Sequence, residues 1–389
     1  MQALEPGPGA SIWISAAETS ADMHGAKLIQ ALQEQAPGIH CLGMGGPQMR
    51  GQDFQALFRA EELAIVGLTE AISKLPKVLM LYKRIKQALH QERPQALVLI
   101  DAPDFHFHLA KIASKMGIPV YYYISPQVWA WRKGRVKFLQ KYVRKVLCIL
   151  PFEKEFFAYH GIDVEFVGHP ILQQMEGAGL EEISAQQETI GLMPGSRKKE
   201  VSSLLPAFVS AARIITASRP GVRFKLIQAP GVSQGMIQEL WPRDLPCEVI
   251  HFAERYPQIK SCQLVLAASG TASLECALLQ VPALVAYRLS WISYLVGKLA
   301  IQVPYISIPN LVLDSAVYPE LIQSAANGPD LARYALDWLQ QPEEMDRVKA
   351  QLAKLQALLG SAQASQTSAS IILEELHKPL LDSRSLSST

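Results

Sequence analysis

The 389-residue sequence has almost no net charge, since 37 Lys and Arg face 35 Asp and Glu for a formal +2. Duplex nucleic acid is held by a basic face, so no nucleic-acid partner is expected. Cysteine is scarce as well: Cys41, Cys148, Cys247, Cys262 and Cys276 lie far apart with no Cys-x-x-Cys pair, which leaves reduced core thiols as the expectation. His-Glu-x-x-His and related ligand spacings are missing, so chemistry without a protein-bound metal or a cofactor is expected. No apolar run reaches the ~18 residues of a bilayer span. The first ten residues carry no basic segment followed by an apolar one, and a cytoplasmic enzyme without a signal peptide is the expectation.

What the sequence does have is apolar mass. Hydrophobic residues make up 49% and charged residues 19%, enough for sizeable cores, and the length fits two domains. Short runs rich in Val, Ile and Leu predict strands at Ser11–Ser15, Ile39–Met44, Ala96–Ile100, Val120–Ile124 and Lys145–Leu150. Continuous apolarity marks parallel strands covered on both faces by crossover helices. The pattern restarts with Ile190–Met193, Arg223–Gln228, Glu248–Phe252, Leu264–Ala268 and Ala283–Tyr287. The α/β organisation therefore comprises two Rossmann-like, doubly wound halves over residues 1–170 and 171–345, with Gly168–Ser184 as the connecting hinge. Helices over 346–378 are expected to return to the first half, and 379–389 to be a disordered tail.

Polar clusters follow several of these strands. Glu18, Thr19, Ser20 and Asp22 stand after the first, where a wound half opens its ligand crevice, although Ser20 or Thr19 can equally cap the next helix. Gly43, Gly45 and Gly46 before Pro47 fit a tight turn or a close approach to ligand. Asp101 and Asp104 flank Ala102-Pro103 at another strand end; either can take a proton from a sugar hydroxyl, with a helix N-cap as the alternative for Asp104. Ser125-Pro126-Gln127-Val128-Trp129-Ala130-Trp131-Arg132 combines indoles for stacking on sugar with Gln127 and Arg132 for hydroxyls or phosphate, or else packs a tryptophan in the core.

In the second half, Pro194-Gly195-Ser196-Arg197 reads as a diphosphate cradle at a helix start, or as a basic surface turn. Ser269, Gly270 and Thr271 open another helix toward phosphate, and Glu275, about a turn on, can accept from ribose hydroxyls. The stretch Ala64–Arg84 mixes apolar residues with Lys74, Lys77, Lys83 and Arg84. Together with Trp291–Leu299 it reads as a surface for an anionic membrane, or as core helix.

The strings Glu18-Thr19-Ser20, Gly45-Gly46-Pro47, Ile100-Asp101-Ala102-Pro103-Asp104-Phe105, Ser125 to Arg132, Pro151-Phe152-Glu153, Phe166-Val167-Gly168-His169-Pro170, Pro194 to Arg197, Ser269-Gly270-Thr271-Ala272 and Val303-Pro304-Tyr305 through Pro309-Asn310-Leu311 occur in that order. Taken together, they resemble the lipid A disaccharide synthase family of glycosyltransferases, over about Ser11 to Gln323. The resemblance implies a GT-B fold, two Rossmann-like domains facing a central cleft, with acceptor in the first and UDP in the second. It implies inverting transfer of 2,3-diacylglucosamine from UDP-2,3-diacylglucosamine to 2,3-diacylglucosamine 1-phosphate, through a β-1,6 linkage. Asp101 falls on the carboxylate suspected of catalysis. Arg197, Ser269, Gly270, Thr271 and Glu275 would hold UDP, with Arg288, Asn310, Glu320 and Gln323 completing the donor pocket. A peripheral place on the inner face of the cytoplasmic membrane is implied, and a homodimer is compatible with it. Ala17 and Ala21 stand where the family usually has glycine. Two readings stay beside this one: an isomerase of the UDP-N-acetylglucosamine 2-epimerase kind, and a non-catalytic binder of nucleotide sugar or lipid.

Overall fold

The computed structural model describes residues 10–64, 71–129, 134–289 and 303–377. These divide into two compact units, one formed by the chain up to residue 173 together with 360 onward, the other by 174–359.

The first unit is a parallel sheet of β1 (Ser11–Ala16), β2 (His40–Gly45), β3 (Gln55–Arg59), β4 (Ala96–Ile100), β5 (Val120–Tyr123), β6 (Lys145–Cys148) and β7 (Val164–Phe166), in the order β3-β2-β1-β4-β5-β6-β7. All five residues of β4 are buried, as strands covered on both faces must be. On one face, Leu28, Ile29 and Leu32 of the helix Thr19–Gln35 share a core with Ile372 and Leu373 of the helix Ala364–His377. On the other, Leu81, Ile85 and Leu89 of the helix Ala71–Glu92 join Leu109 and Ala113 of the helix Pro103–Lys115.

The second unit repeats the plan with β8 (Thr189–Met193), β9 (Arg223–Gln228), β10 (Glu248–His251), β11 (Leu264–Ala268), β12 (Ala283–Tyr287) and β13 (Glu320–Ile322), ordered β10-β9-β8-β11-β12-β13 and parallel throughout. The helix Lys198–Ser218 is long and apolar enough to cross a membrane. Here it is a core helix: Leu204, Leu205, Phe208 and Ile215 pack with Leu331 and Ala335 of the helix Gly328–Gln340. Each such Leu, Ile or Phe side chain contributes about 1.5–3 kcal/mol by leaving water.

Two local outcomes differ from the sequence reading. The strands β3, β7 and β13 carry no continuous apolar run. The segment 346–378 also divides: the helix Leu355–Leu358 packs on the helices Thr271–Leu278 and Ile308–Leu313 of the second unit, and only Ala364–His377 joins the first. The tail Asp382–Thr389 and the stretch Trp291–Leu299 lie outside the described residues.

Candidate functional site

In both sheets the strand order reverses direction beside the first strand, at β1/β4 and at β8/β11. Loops leaving the carboxyl ends of those strands diverge and leave a crevice, which is where doubly wound sheets bind ligands. The loops in question begin at Ala17, Asp101, Pro194 and Ser269, and each holds residues singled out from the sequence.

The turn after β4 is strained. Asp101 and Ala102 are both left-handed, at φ +51° and +45°, and the helix Pro103–Lys115 starts immediately after them with Ala102 as its cap. Non-glycine residues in such conformations raise the energy by about 1–3 kcal/mol each, so neighbours must hold them there. The neighbours are identifiable. The Asp101 carbonyl accepts from the Tyr122 hydroxyl at 2.8 Å and from His106 Nδ1 at 2.7 Å, while His106 Nε2 meets Ser15 Oγ at 3.0 Å. A carbonyl only accepts, so Nδ1 carries the proton and Nε2 accepts from the serine. Burial depresses the His106 pKa to about 4, keeping the ring neutral. This scaffold leaves Asp101 half-buried at the sheet edge.

Asp104 takes a different place from the cap considered for it. It sits in the first turn of the helix Pro103–Lys115, its side chain 69% exposed, and pairs with Arg135. Glu18 and Ser20 are exposed at the carboxyl end of β1; Glu18 occupies the N-cap position of the helix Thr19–Gln35, and neither Thr19 nor Ser20 does. Ala17 and Ala21 have no positive φ, and their methyl groups lie in the two cores of the first sheet.

Asp22 makes its contacts within the fold. It is buried, and its carboxylate accepts the backbone N–H groups of Gly46, Gln48 and Met49 at 2.7, 2.8 and 3.1 Å. A Cβ on Gly46 would come within 2.6 Å of that carboxylate, and one on Gly45 within 2.7 Å of Met49 Sδ. These glycines thus permit close packing of the loop against Asp22 and Met49. Trp129 takes the core-packing alternative: it is buried, edge-on to Phe152, and its indole N–H donates to Glu153 at 2.9 Å. Glu153 also accepts from Ser125 Oγ and from the amides of Ile149 and Leu150, and burial raises its pKa to about 7. Gln127 remains exposed on this braced loop, and Trp131 and Arg132 lie outside the described residues.

In the second unit, the turn after β11 is built on glycine. Gly270 has φ +130° and ψ −147°, a conformation open only to glycine, and a Cβ there would meet nothing within 4 Å. Behind it Ser269 Oγ donates to the Ile306 carbonyl at 3.0 Å, whereas Thr271 is exposed at the start of the helix Thr271–Leu278. The open glycine turn leads straight into a helix N-terminus, which suits an anion.

The turn after β8 differs from the expected cradle. The amides of Ser196 and Arg197 donate to Glu200 Oε2 at 3.1 and 3.3 Å, so the helix Lys198–Ser218 is capped by its own third residue. The Arg197 side chain is 74% exposed. Glu275, expected to meet ribose, is buried in an ion pair: Arg255 Nε donates to it at 2.9 Å while the same guanidinium lies 3.8 Å from the Phe252 ring centroid. Arg288 donates to the Ser203 carbonyl. Gln323 clamps the backbone of Leu289, accepting from its amide at 2.7 Å and donating to its carbonyl at 3.2 Å. Asn310 and Glu320 also bind main chain. Glu320 accepts from the amides of Ile306 and Ser307 and from Asn310 Nδ2, each at 2.9 Å, and Asn310 also bridges both backbone groups of Tyr318. They shape the segment behind Ser269.

One device recurs that the sequence reading did not assign. Asp22, Glu153, Glu200 and Glu320 each accept two or more backbone N–H groups in a loop beside the site. Glu153 and Glu200 occupy the third position of a helix, a readable capping signal. Asp22 gives no local signal, since its partners stand 24 to 27 residues away.

Comparison with known proteins adds to this geometry. The family model described as lipid-A-disaccharide synthetase matches residues 12–375. A lipid-A-disaccharide synthase of Syntrophus aciditrophicus is 38% identical over 94% of this chain and 98% of its own. One from Myxococcus xanthus is 34% identical over 94% and 97%. Among solved structures, a UDP-GlcNAc 2-epimerase from Neisseria meningitidis bound to UDP-GlcNAc superposes with a TM-score of 0.64 at 13% identity, over 94% of this chain and 99% of that one. The glycotransferase of kitacinnamycin gives 0.62 at 14%, over 95% and 100%. At such identities the structural neighbours speak for the fold alone, the GT-B arrangement of two parallel sheets. With its sequence matched along nearly its whole length, the chain belongs to the lipid-A-disaccharide synthetase family and is a glycosyltransferase.

Proposed function

We propose that the enzyme transfers 2,3-diacylglucosamine from UDP-2,3-diacylglucosamine to the 6-hydroxyl of 2,3-diacylglucosamine 1-phosphate, with inversion, forming the β-1,6 disaccharide 1-phosphate and UDP. The observation that carries the assignment of roles is the turn after β4, where a half-buried carboxylate is held in a left-handed backbone at the ligand-binding edge of the sheet. Strain of that kind is retained where function requires it. Asp101 removes the proton of the acceptor hydroxyl as its oxygen bonds to the anomeric carbon, and the bond to the UDP oxygen breaks in the same displacement. Departing diphosphate is stabilised by the helix N-terminus behind Gly270 and by Arg197. Glu18, Ser20, Gln127 and Arg132 serve the acceptor, and Thr271 serves UDP.

Incubating the enzyme with the UDP-sugar, with and without lipid acceptor, and weighing the products tests this reading. Release of UDP that depends on acceptor, together with a product of the disaccharide's mass, is expected. Epimerised UDP-sugar without acceptor, or no conversion, overturns it.

A peripheral position on the inner face of the cytoplasmic membrane follows as part of the same proposal. Leu79 and Met80 are the support: both project from the helix Ala71–Glu92 more than half exposed, beside exposed Lys77, Lys83 and Arg84. Two apolar side chains with a basic rim suit an anionic headgroup surface. Replacing both by Asp is expected to lower co-sedimentation with vesicles containing anionic lipid at least ~10-fold, since each lost insertion is worth ~1.5–3 kcal/mol. Unchanged co-sedimentation would move the contact elsewhere.

A further inference from the structure

The carbonyl of Asp101 is gripped by two side chains. Tyr122 lies on β5, with its hydroxyl 2.8 Å from that oxygen. His106 lies one turn into the helix Pro103–Lys115 and donates through Nδ1 at 2.7 Å. Ser15, near the end of β1, donates in turn to Nε2 at 3.0 Å and so sets which nitrogen keeps the proton. Ser15, His106 and Tyr122 are fully buried. Three elements, β1, β5 and the helix after β4, thus converge on one backbone oxygen.

The direction of the grip matters. Passing from the left-handed region to an extended strand conformation rotates φ by on the order of half a turn, which carries a residue's side chain and its carbonyl together. If the carbonyl swung back toward an ordinary strand geometry, the carboxylate would turn with it. Holding the oxygen therefore holds the aim of the side chain. An arrangement meant only to cap a helix would bind the amides at the helix start, and His106 binds the carbonyl of the residue before the cap instead.

We infer that His106 is a positioning residue for the transfer reaction: with Tyr122 it locks the Asp101 carbonyl and so aims the Asp101 carboxylate at the acceptor hydroxyl, Ser15 fixing the tautomer. This rests on the reading of Asp101 as the base. The bond needed is a single donor at the place of Nδ1. Asparagine puts an amide N–H close to that place, whereas leucine fills the volume with no donor.

Turnover and KM for both substrates, measured on purified full-length variants, test the inference. His106→Leu is expected to lower kcat about 30-fold with each KM within about twofold, and His106→Asn to recover to within about fivefold of the parent. In an Asp101→Asn background His106→Leu is expected to change nothing further, because a positioning residue acts only through the group it positions. Three results overturn the inference: parental kcat in His106→Leu, equal loss in His106→Asn and His106→Leu, or an equal further loss in the Asp101→Asn background. Should His106→Leu yield no soluble protein, Tyr122→Phe, which removes one oxygen atom, carries the same comparison and is expected to lose about tenfold in kcat alone. An unimpaired Asp101→Asn enzyme would instead discard Asp101 as base, a failure distinct from that of His106.

Discussion

Two turns hold the same topological place in the two sheets, one after β4 and one after β11, and they are built in opposite ways. After β4 the backbone turns left-handed at Asp101 and Ala102, residues that keep their side chains at an energetic penalty and are held by Tyr122 and His106. After β11 the equivalent break is made by Gly270, with open space where a side chain would stand. A turn that must present a functional group to substrate has to keep its Cβ and accept strain. A turn that must let a ligand approach the main chain does better without one. Under the proposed roles the difference has a simple reason: a proton acceptor is a side chain, whereas an anion site is largely backbone.

The largest effect belongs to the first turn. Asp101→Asn is expected to fold, to bind UDP as the parent does, and to lose ~10²–10⁴-fold in kcat, the usual worth of a general base. Steady-state assays with isothermal UDP titration would measure both, and an equal loss of UDP affinity would erase the contrast between the turns. Gly270→Ala should act the other way round. A methyl group at φ +130° strains the backbone by ~1–3 kcal/mol and stands in the open space, so donor KM should rise ~10-fold or more with the overall fold intact; an unchanged KM would show that the space is not used.

A smaller effect is expected in Glu153→Gln, which sharpens how the loop beside the first turn is braced. The Glu153 carboxyl has a folded pKa raised to about 7 from 4.5. A raised carboxyl favours the folded state at low pH, and that contribution is lost as pH climbs from about 4.5 through about 7. Relative to Glu153→Gln, the parent should therefore lose up to ~3 kcal/mol across that window, read as converging urea midpoints. Parallel midpoints at every pH would argue against a titrating Glu153. The smallest effect is that of Ala102→Gly. Glycine relieves the left-handed strain yet gives the unfolded chain more freedom, for a net gain of up to ~1 kcal/mol in thermal unfolding. A clear loss of stability would mean that the Ala102 methyl group is worth more as packing than it costs as strain.

Central strands were readable because burial on both faces writes itself as unbroken apolar runs: Ala96–Ile100, Leu264–Ala268 and Ala283–Tyr287 appear in the structure with the bounds expected. Among the described residues three of the four edge strands were not, β10 being the exception. Gln55–Arg59, Val164–Phe166 and Glu320–Ile322 are short, with a partner on one side only, and neither length nor composition lifts them above loop. For the candidate site, residue chemistry pointed to the loops that leave β1, β4, β8 and β11, but not to the hydrogen bonds each acid makes within the fold. Asp101 and Asp22 look equally suited to a sugar in sequence. What separates them is that Asp22 spends its carboxylate on three amides of a loop 24 residues away, a tertiary fact with no local trace. Arg255, held by Glu275 and the Phe252 ring, was invisible for the same reason.

The chain also enters the first unit twice, as the helix Ala364–His377 packs beside the helix Thr19–Gln35 with Ala369, Ile372 and Leu373 fully buried. During synthesis the second unit, encoded in the middle, can complete its core while the first still lacks a wall. The first unit is thus completed only once the helix Ala364–His377, which follows the second unit in sequence, has been made. A premature stop late in the reading frame would leave a well-formed second unit attached to a first unit with an exposed apolar flank, a species suited to capture by chaperones rather than to work.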